Sequence, residues 1–245
     1  MRTPRLYVED LLGDGIELDL GQGAARHVHA VLRLRPGAAL VLFDGRGASR
    51  EACLLHATRA SVRVRVGAQL DADVEAPLAV TLALGISRGE RMDLALQKAT
   101  ELGVRTIVPL LSERSMVRLD GERATRREAH WRGVVLSACE QCGRNRMPEV
   151  MPVQPLARWL EDAPRDGLAL MPHPGAALGL RAVAAAGDRV TLLIGPEGGL
   201  GDAERALAAQ RGFTAVRLGP RILRTETAVI AALAAVMTLW GDLAN

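Results

Sequence analysis

The sequence predicts an α/β protein in two parts: a small, mostly β module over residues 1–74 and a larger α/β domain over 75–245. Three observations carry that reading. Residues 61–66, SVRVRV, alternate Val with Arg, the period-two pattern of a half-buried strand. From residue 77 the grammar changes to an apolar run, an amphipathic helix and a second apolar run, which is a βαβ unit and implies a mostly parallel sheet covered on both faces. Near the C-terminus two glycine-bearing loops, 195–199 and 219–227, each follow an apolar run and lead into a helix. Such βα turns expose backbone N–H groups where a nucleotide-like or anionic ligand can be held.

Composition narrows the class. Hydrophobic residues make up 49% of the 245-residue chain, ample for a packed core, while aromatics are only 2%, so stacking platforms for single-stranded nucleic acid are few. The net charge is +3, and Lys98 is the only lysine. Arginine suits bidentate phosphate recognition, but a codon bias toward Arg and Ala would leave the same trace. Cys53, Cys139 and Cys142 cannot form a full disulfide framework or a four-cysteine zinc site. The C-E-Q-C spacing at 139–142 fits a redox pair or half a metal site, with no second pair to complete it, and no metal is expected. The opening MRTPRLYVED interrupts every apolar run with charge, so no signal peptide is expected. The longest apolar run, 228–240, falls short of the roughly 20 residues of a membrane span. A cytoplasmic protein is the expectation.

In the first module the segments LYV, PGAALVLFDGRG, EACLLHATRA and SVRVRVGAQL read as strands and turns, and 23–34 as a short helix. Its arginines, Arg2, Arg5, Arg26, Arg33, Arg35, Arg46 and Arg50, suit phosphate contact or a solvated face equally. His27 and His29 have no partner at metal spacing and read as surface or RNA-contact residues. The acidic, proline-ended stretch 69–77 reads as a linker. In the second part 77–86 is a strand buried on both faces. Residues 88–103 form a helix on which Met92, Ala95, Leu96, Ala99 and Leu102 recur at helical spacing, with TIVPLLS the next strand. A long helix over 122–142 ends in a polar turn with Arg144 and Arg146. Residues 167–171 form a further strand, which puts His173 at a strand's carboxyl end, where α/β sheets bind ligands. The last helix, 226–243, lacks charge between Glu226 and Asp242 and should be buried all round. Val229, Leu233, Val236 and Trp240 are expected in the core, with Ile230 and Met237 facing a second subunit of a homodimer.

In the first loop Pro196 stiffens the chain, and Gly198 and Gly199 let backbone approach a ligand. Gly201 stands at the helix N-cap with Glu204 three residues on, a capping-box spacing without the usual Ser or Thr. Neither loop matches the Walker or the dinucleotide fingerprint, which sets ATP and NAD aside. The second loop groups Arg221, Arg224, Thr225, Glu226 and Thr227, a set suited to a ligand of mixed charge and a nucleic-acid phosphate, or to Arg–Glu pairing with helix capping.

RHVHAVLRLRPGAALVLFDGRG, RMDLALQKATELGVRTIVPLLSERS, EQCGR, LIGPEGGL and LGPRILRTETA, in this order and across nearly the whole chain, resemble the ribosomal RNA small-subunit methyltransferase E family. Those are SPOUT-class enzymes that methylate N3 of a uridine in 16S ribosomal RNA with S-adenosylmethionine. The chain departs from the family pattern in its HVH and in Gly201. The resemblance implies an N-terminal PUA-like β-barrel that helps grip RNA and a C-terminal SPOUT domain with a deep trefoil knot, dimeric, with the active site at the subunit interface. It places the cofactor against Met171, Pro172, Ile194, Gly195, Pro196, Gly198, Gly199, Leu218, Gly219, Ile222, Leu223 and Thr225. Glu197 or Glu226 would accept the N3 proton, and Arg221 or Arg224 would stabilise the anion that develops on the uracil carbonyls. Glu197 instead hydrogen-bonding loop N–H groups is the competing assignment. Arg5, Arg26, Arg33, Arg114, Arg144 and Arg146 are the RNA-contact candidates, and no metal is needed. A SPOUT ribose 2′-O-methyltransferase and a non-enzymatic RNA-binding protein of the same fold stay open.

Overall fold

A computed structural model describes residues 3–10, 13–26, 28, 32–71, 73–115, 121–163, 166–184 and 187–244, without the side chains of Gln22 and Arg26. His27 and His29 therefore lie outside the described residues. The chain divides into two compact units, one of residues 1–75 with 139–147 and one of 76–138 with 148–245.

The smaller unit is built on a five-stranded sheet of β1 (Arg5–Tyr7), β2 (Glu17–Leu20), β3 (Ala39–Phe43), β4 (Ser49–Ala57) and β5 (Val62–Gln69), with a short helix α1 (Gln22–Arg26). The strand order is β1-β3-β4-β5-β2, antiparallel except for β1 on β3. The alternation read in SVRVRV holds: Val62, Val64 and Val66 are buried with Leu6, Leu40, Leu42 and Leu54. Strand β2, not anticipated, changes the meaning of the other face. It sets Asp19 opposite Arg63 and Glu17 opposite Arg65, and each pair closes an ion pair, at 2.7 Å and 3.1 Å. The Arg63 hydrogen bond holds the Asp19 carboxyl below its ordinary range.

Helix α3 (Gly121–Cys142) and the turn after it deliver Cys139 to Met147 to this unit. There Arg144, 5% exposed, donates from Nε and Nη2 to Glu75 Oε2 at 2.9 and 2.7 Å, while Glu75 Oε1 accepts the Arg146 N–H at 2.9 Å. Arg5 donates to Asn145 Oδ1 at 2.6 Å and to the Arg144 carbonyl, and lies 4.9 Å over the Phe43 ring. Burial pushes the Cys139 thiol up to about 12, with the Arg144 charge opposing, so it holds no thiolate near neutrality.

The larger unit is an α/β layer around a seven-stranded parallel sheet. Its strands are β6 (Ala79–Gly85), β7 (Thr106–Leu111), β8 (Glu149–Val150), β9 (Gln154–Pro155), β10 (Leu168–Pro172), β11 (Arg189–Ile194) and β12 (Thr214–Val216). The order is β12-β10-β11-β6-β7-β8, with β9 also on β7. The short outer strands, missed in the sequence, follow from Pro109: β7 pairs β8 at Thr106–Ile107 and β9 at Leu110–Leu111, and the ladder lapses where proline has no N–H to give. One face packs helices α4 (Leu156–Asp162) and α5 (Asp202–Gln210), with Trp159 and Phe213 5.9 Å apart. Helix α2 (Glu90–Glu101) packs against α6 (Thr225–Trp240), which also contacts β11.

The last helix differs from expectation at Met237 and at Trp240. Met237, assigned from sequence to a subunit contact, is fully buried, and its Cε lies 3.1 Å from where a Cβ on Gly103 would stand. Nor is the helix buried all round: Ile230 and Trp240, the latter expected in the core, are half-buried and Leu239 is exposed.

Because Arg144 is buried and paired with the Glu75 carboxylate, Glu75→Ala should cost about 3 kcal/mol by removing the counter-charge of a buried guanidinium. Denaturant unfolding of that variant, beside Arg144→Met, checks this, the methionine variant being expected to cost less.

Candidate functional site

The two glycine loops meet at the carboxyl ends of β10 and β11. After Ile194 the chain turns sharply. The Gly199 N–H donates to the Pro196 carbonyl at 2.8 Å, and Gly199 takes a φ of 69°, a conformation glycine adopts without steric cost. The turn folds so tightly on itself that a Cβ on Gly195 would stand 2.8 Å from the Gly199 carbonyl carbon and 2.9 Å from the Leu200 nitrogen. From the neighbouring strand Gly85 presses against Pro196, where a Cβ would overlap the ring. The second wall, residues 218–225, follows β12 and ends at the α6 N-cap, Arg224, which makes no side-chain capping bond. The third wall follows β10, where the His173 N–H donates to Val216 and its Nδ1 accepts the Gly175 N–H at 3.1 Å.

These walls enclose a cleft of about 290 Å³. All twelve positions expected to hold a cofactor line it, Met171, Pro172, Ile194, Gly195, Pro196, Gly198, Gly199, Leu218, Gly219, Ile222, Leu223 and Thr225, together with Glu197, Arg221 and Arg114. His173, singled out on its own, lines it too. Arg224 and Glu226 are not among its lining; Arg224 is exposed at the helix start, and Glu226 follows Thr225 with its Oε2 buried and without a hydrogen-bond partner among the described residues. Sequence reasoning missed Arg205, whose guanidinium donates to the Leu200 carbonyl at 2.6 Å, and Glu204 as a bridge between loops. Helical spacing could have found Arg205, one turn beyond Gly201; nothing local marks the bridge.

Glu197 sits between this cleft and a second, open one lined by Arg88, Gly89, Glu90 and Arg91. Its Oε1 accepts the Arg88 N–H at 3.0 Å and faces Arg91 Nη1 at 3.4 Å. Burial alone would raise its pKa. The Arg88 and Glu197 N–H groups, the neighbouring Ser87 hydroxyl and the Arg91 charge outweigh that, and the carboxyl is held below its ordinary value.

The RNA-contact candidates scatter. Arg114 donates to the Gly198 carbonyl at 3.2 Å. Arg33 is exposed, and Arg146 is exposed with Nη1 on the Arg46 carbonyl at 2.9 Å. Arg5 and Arg144 make the contacts within the smaller unit described above, and Arg144 is buried. The side chain of Arg26 lies outside the described residues.

The comparisons fit this geometry. Residues 74–237 match the RNA methyltransferase domain and residues 20–67 the RNA methyltransferase PUA domain. The ribosomal RNA small subunit methyltransferase E of Buchnera aphidicola is 32% identical over 242 residues, covering 99% of this chain and 98% of the relative. This chain belongs to the ribosomal RNA small subunit methyltransferase E family. The Bacillus subtilis member is 32% identical over 86% of this chain and 85% of its own. Two solved structures are similar throughout. The family member from Neisseria gonorrhoeae, bound to S-adenosyl methionine, has 43% identity and a TM-score of 0.94, covering 98% of this chain and 99% of that one. A Legionella pneumophila methyltransferase structure with bound SAM has 39% identity and a TM-score of 0.95, covering 99% and 100%. The family named from the sequence motifs is thus borne out, as is an α/β fold with an N-terminal PUA-like domain.

The lowered pKa of Glu197 gives a signed pH dependence. A depressed carboxyl stabilises the fold above its unfolded value near 4.5, and that contribution is lost as pH falls through the lower folded value. Glu197→Gln should flatten this part of the acid stability curve, measured by thermal unfolding from pH 6 downward.

Proposed function

We propose that this protein transfers the methyl group of S-adenosylmethionine to N3 of a uridine in 16S ribosomal RNA of the small ribosomal subunit. The observation that carries the reading is the convergence of both glycine loops and the β10 end on one cleft, with relatives of the same fold solved with that cofactor in place. The donor set fits. Glycine at 195, where a Cβ would strike the Gly199–Leu200 backbone, lets the loop close on itself beside the cleft, and the uncapped first turn of α6 leaves N–H groups for a ligand's polar atoms. Bound there, S-adenosylmethionine supplies a methyl already activated on its sulfonium.

The residues then have to hold uracil in line and relieve N3 of its proton, which uridine keeps at neutral pH. Glu226 takes that role: its Oε2, like that of Glu197, is buried with no hydrogen-bond partner among the described residues, one residue from the cleft wall. Glu197 is the weaker base, since its depressed pKa and its bonds to Arg88 and Arg91 favour keeping it ionised and in place. Arg221, exposed on the cleft wall, stabilises the charge that grows on the uracil carbonyl oxygens, with Arg224 beside it for a phosphate. RNA reaches the site along the open cleft of Arg88 and Arg91. Arg33, Arg114 and Arg146 supply backbone contacts from exposed positions.

The finer architecture belongs to the same proposal. Residues 1–74 serve as the RNA-gripping barrel and 75–245 as the catalytic domain, in the cytoplasm. A trefoil knot is supported by the likeness to solved relatives and by the path of residues 217–224. These leave the edge strand β12, bond Leu178 after β10, and end at a helix packed on β11 and α2. The half-buried stripe of Ile230, Ala231 and Ala234, with exposed Leu239, supports a second copy of the chain on α6.

Small subunits lacking the modification, incubated with the protein and S-adenosylmethionine, should yield 3-methyluridine on digestion and mass spectrometry. Glu226→Gln is expected to lower kcat by about 100-fold with cofactor Kd nearly unchanged, the scale of one proton-transfer group. Methyl on a ribose oxygen or on another base would overturn the substrate assignment.

A further inference from the structure

Helix α5 begins without a capping side chain. Its N-cap is Gly201, at φ −64° and ψ 162°, a position where Ser, Thr, Asp or Asn would normally accept a first-turn N–H. The vacancy is filled from elsewhere in the chain: a Cβ on Gly201 would overlap Glu113 Oε2, from the turn after β7. That turn is closed by its own bonds, Ser115 N–H to the Ser112 carbonyl and Ser112 N–H to Ser115 Oγ, each 3.0 Å. It reaches the cleft loop at two points. Glu204 Oε1 accepts the Glu113 N–H at 2.8 Å while Glu204 Oε2 accepts the Gly201 N–H at 2.9 Å. Arg114 donates to the Gly198 carbonyl at 3.2 Å, and a Cβ on Gly198 would stand 3.1 Å from Arg114 Cβ. The two anchors bracket Gly199, the residue whose positive φ sets the turn.

We propose that the Ser112–Ser115 turn is a strap holding the Gly195–Gly201 loop in its binding shape, with the Glu113 carboxylate standing where the α5 N-cap lacks a side chain and Glu204 as the positioning residue that ties the two. The carboxylate of Glu113 also lies at the positive end of the α5 dipole, which favours its place there. Arg114 is then a loop anchor first. The absent N-cap side chain and the intruding carboxylate are one arrangement, so they should exchange together. The consequence for cofactor binding rests on the proposed function; the strap itself does not.

The test is a swap in the full chain, with S-adenosylmethionine affinity read by calorimetry at a temperature where every variant is folded. Gly201→Ser expels Glu113 and should weaken binding roughly tenfold, the scale of one charge-assisted hydrogen bond. Adding Glu113→Ala should restore it, because serine then caps the helix in the vacated space. A Gly201→Ser variant that binds as wild type, or a double variant no better than the single one, overturns the proposal. Val64→Ala, a core truncation in the smaller unit, should lower stability without changing Kd; a matching loss of affinity there would reduce the swap to general destabilisation and overturn it too. Amide exchange without ligand reads the strap directly: Glu204→Ala should speed exchange at Gly201 and Glu113 together, and acceleration at Gly201 alone overturns it. If the wild type binds no S-adenosylmethionine, the proposed function fails while exchange still decides the strap.

Discussion

The larger unit depends on backbone meeting backbone without side chains between. At the carboxyl ends of β6 and β11, Gly85 lies against Pro196, and Gly195 folds onto Gly199 and Leu200 at distances no Cβ would allow. A parallel sheet brings its strand ends to one level, and loops leaving adjacent strands must share the space above it. Glycine at 85 and 195 lets the β11 loop lie down on the sheet rather than stand away from it. The cleft is the space that remains between that flattened loop, the β10 exit and residues 218–225. Gly195, Gly198, Gly199 and Gly219 are among its lining, so main-chain N–H and C=O groups stand open to a ligand there.

The fold was legible where a pattern repeats locally. Val62, Val64 and Val66 alternate into one core, and the apolar run of β6 is buried on both faces, as its lack of alternation implies. What escaped were elements whose existence depends on a neighbour. Strand β2 is ELDL, too short and acidic to stand out, and it is ordered by its pairing with β5. Strands β8 and β9 are two residues each and exist only as partners to either side of Pro109. Met237 was misplaced because a helix rich in apolar residues on every side gives no phase to its pattern, and the groove made by Gly103 is invisible in sequence.

The site was legible to a different degree for backbone and for side chains. Glycine spacing marks where main chain approaches closely, and the cofactor positions expected from the motifs gather in one cleft. Arginine carries no such information about its partner. Arg5 and Arg144 read as candidates for RNA, yet one stacks on Phe43 and the other is buried against Glu75 across a sequence separation of 69 residues. Glu204 lies in the same difficulty from the acidic side, since its second acceptor serves Glu113, 91 residues away.

That difference bears on how charge is to be read in this chain. The Val–Arg alternation of β5 suggests a basic stripe, but Asp19 and Glu17 on β2 sit opposite and neutralise it. Opposite-charge pairs across a sheet, being exposed, add little to stability, but they do remove a surface from the list of phosphate contacts. Arg144 is withdrawn by burial and Arg114 is engaged with the Gly198 carbonyl. Arg88, Arg91 and Arg221 stand around the two clefts that meet at Glu197, where a phosphate backbone would have to run for a base to reach the loop. Cross-strand pairing of β2 with β5 thus offsets the positive charge that the Val–Arg pattern would otherwise present on the smaller unit.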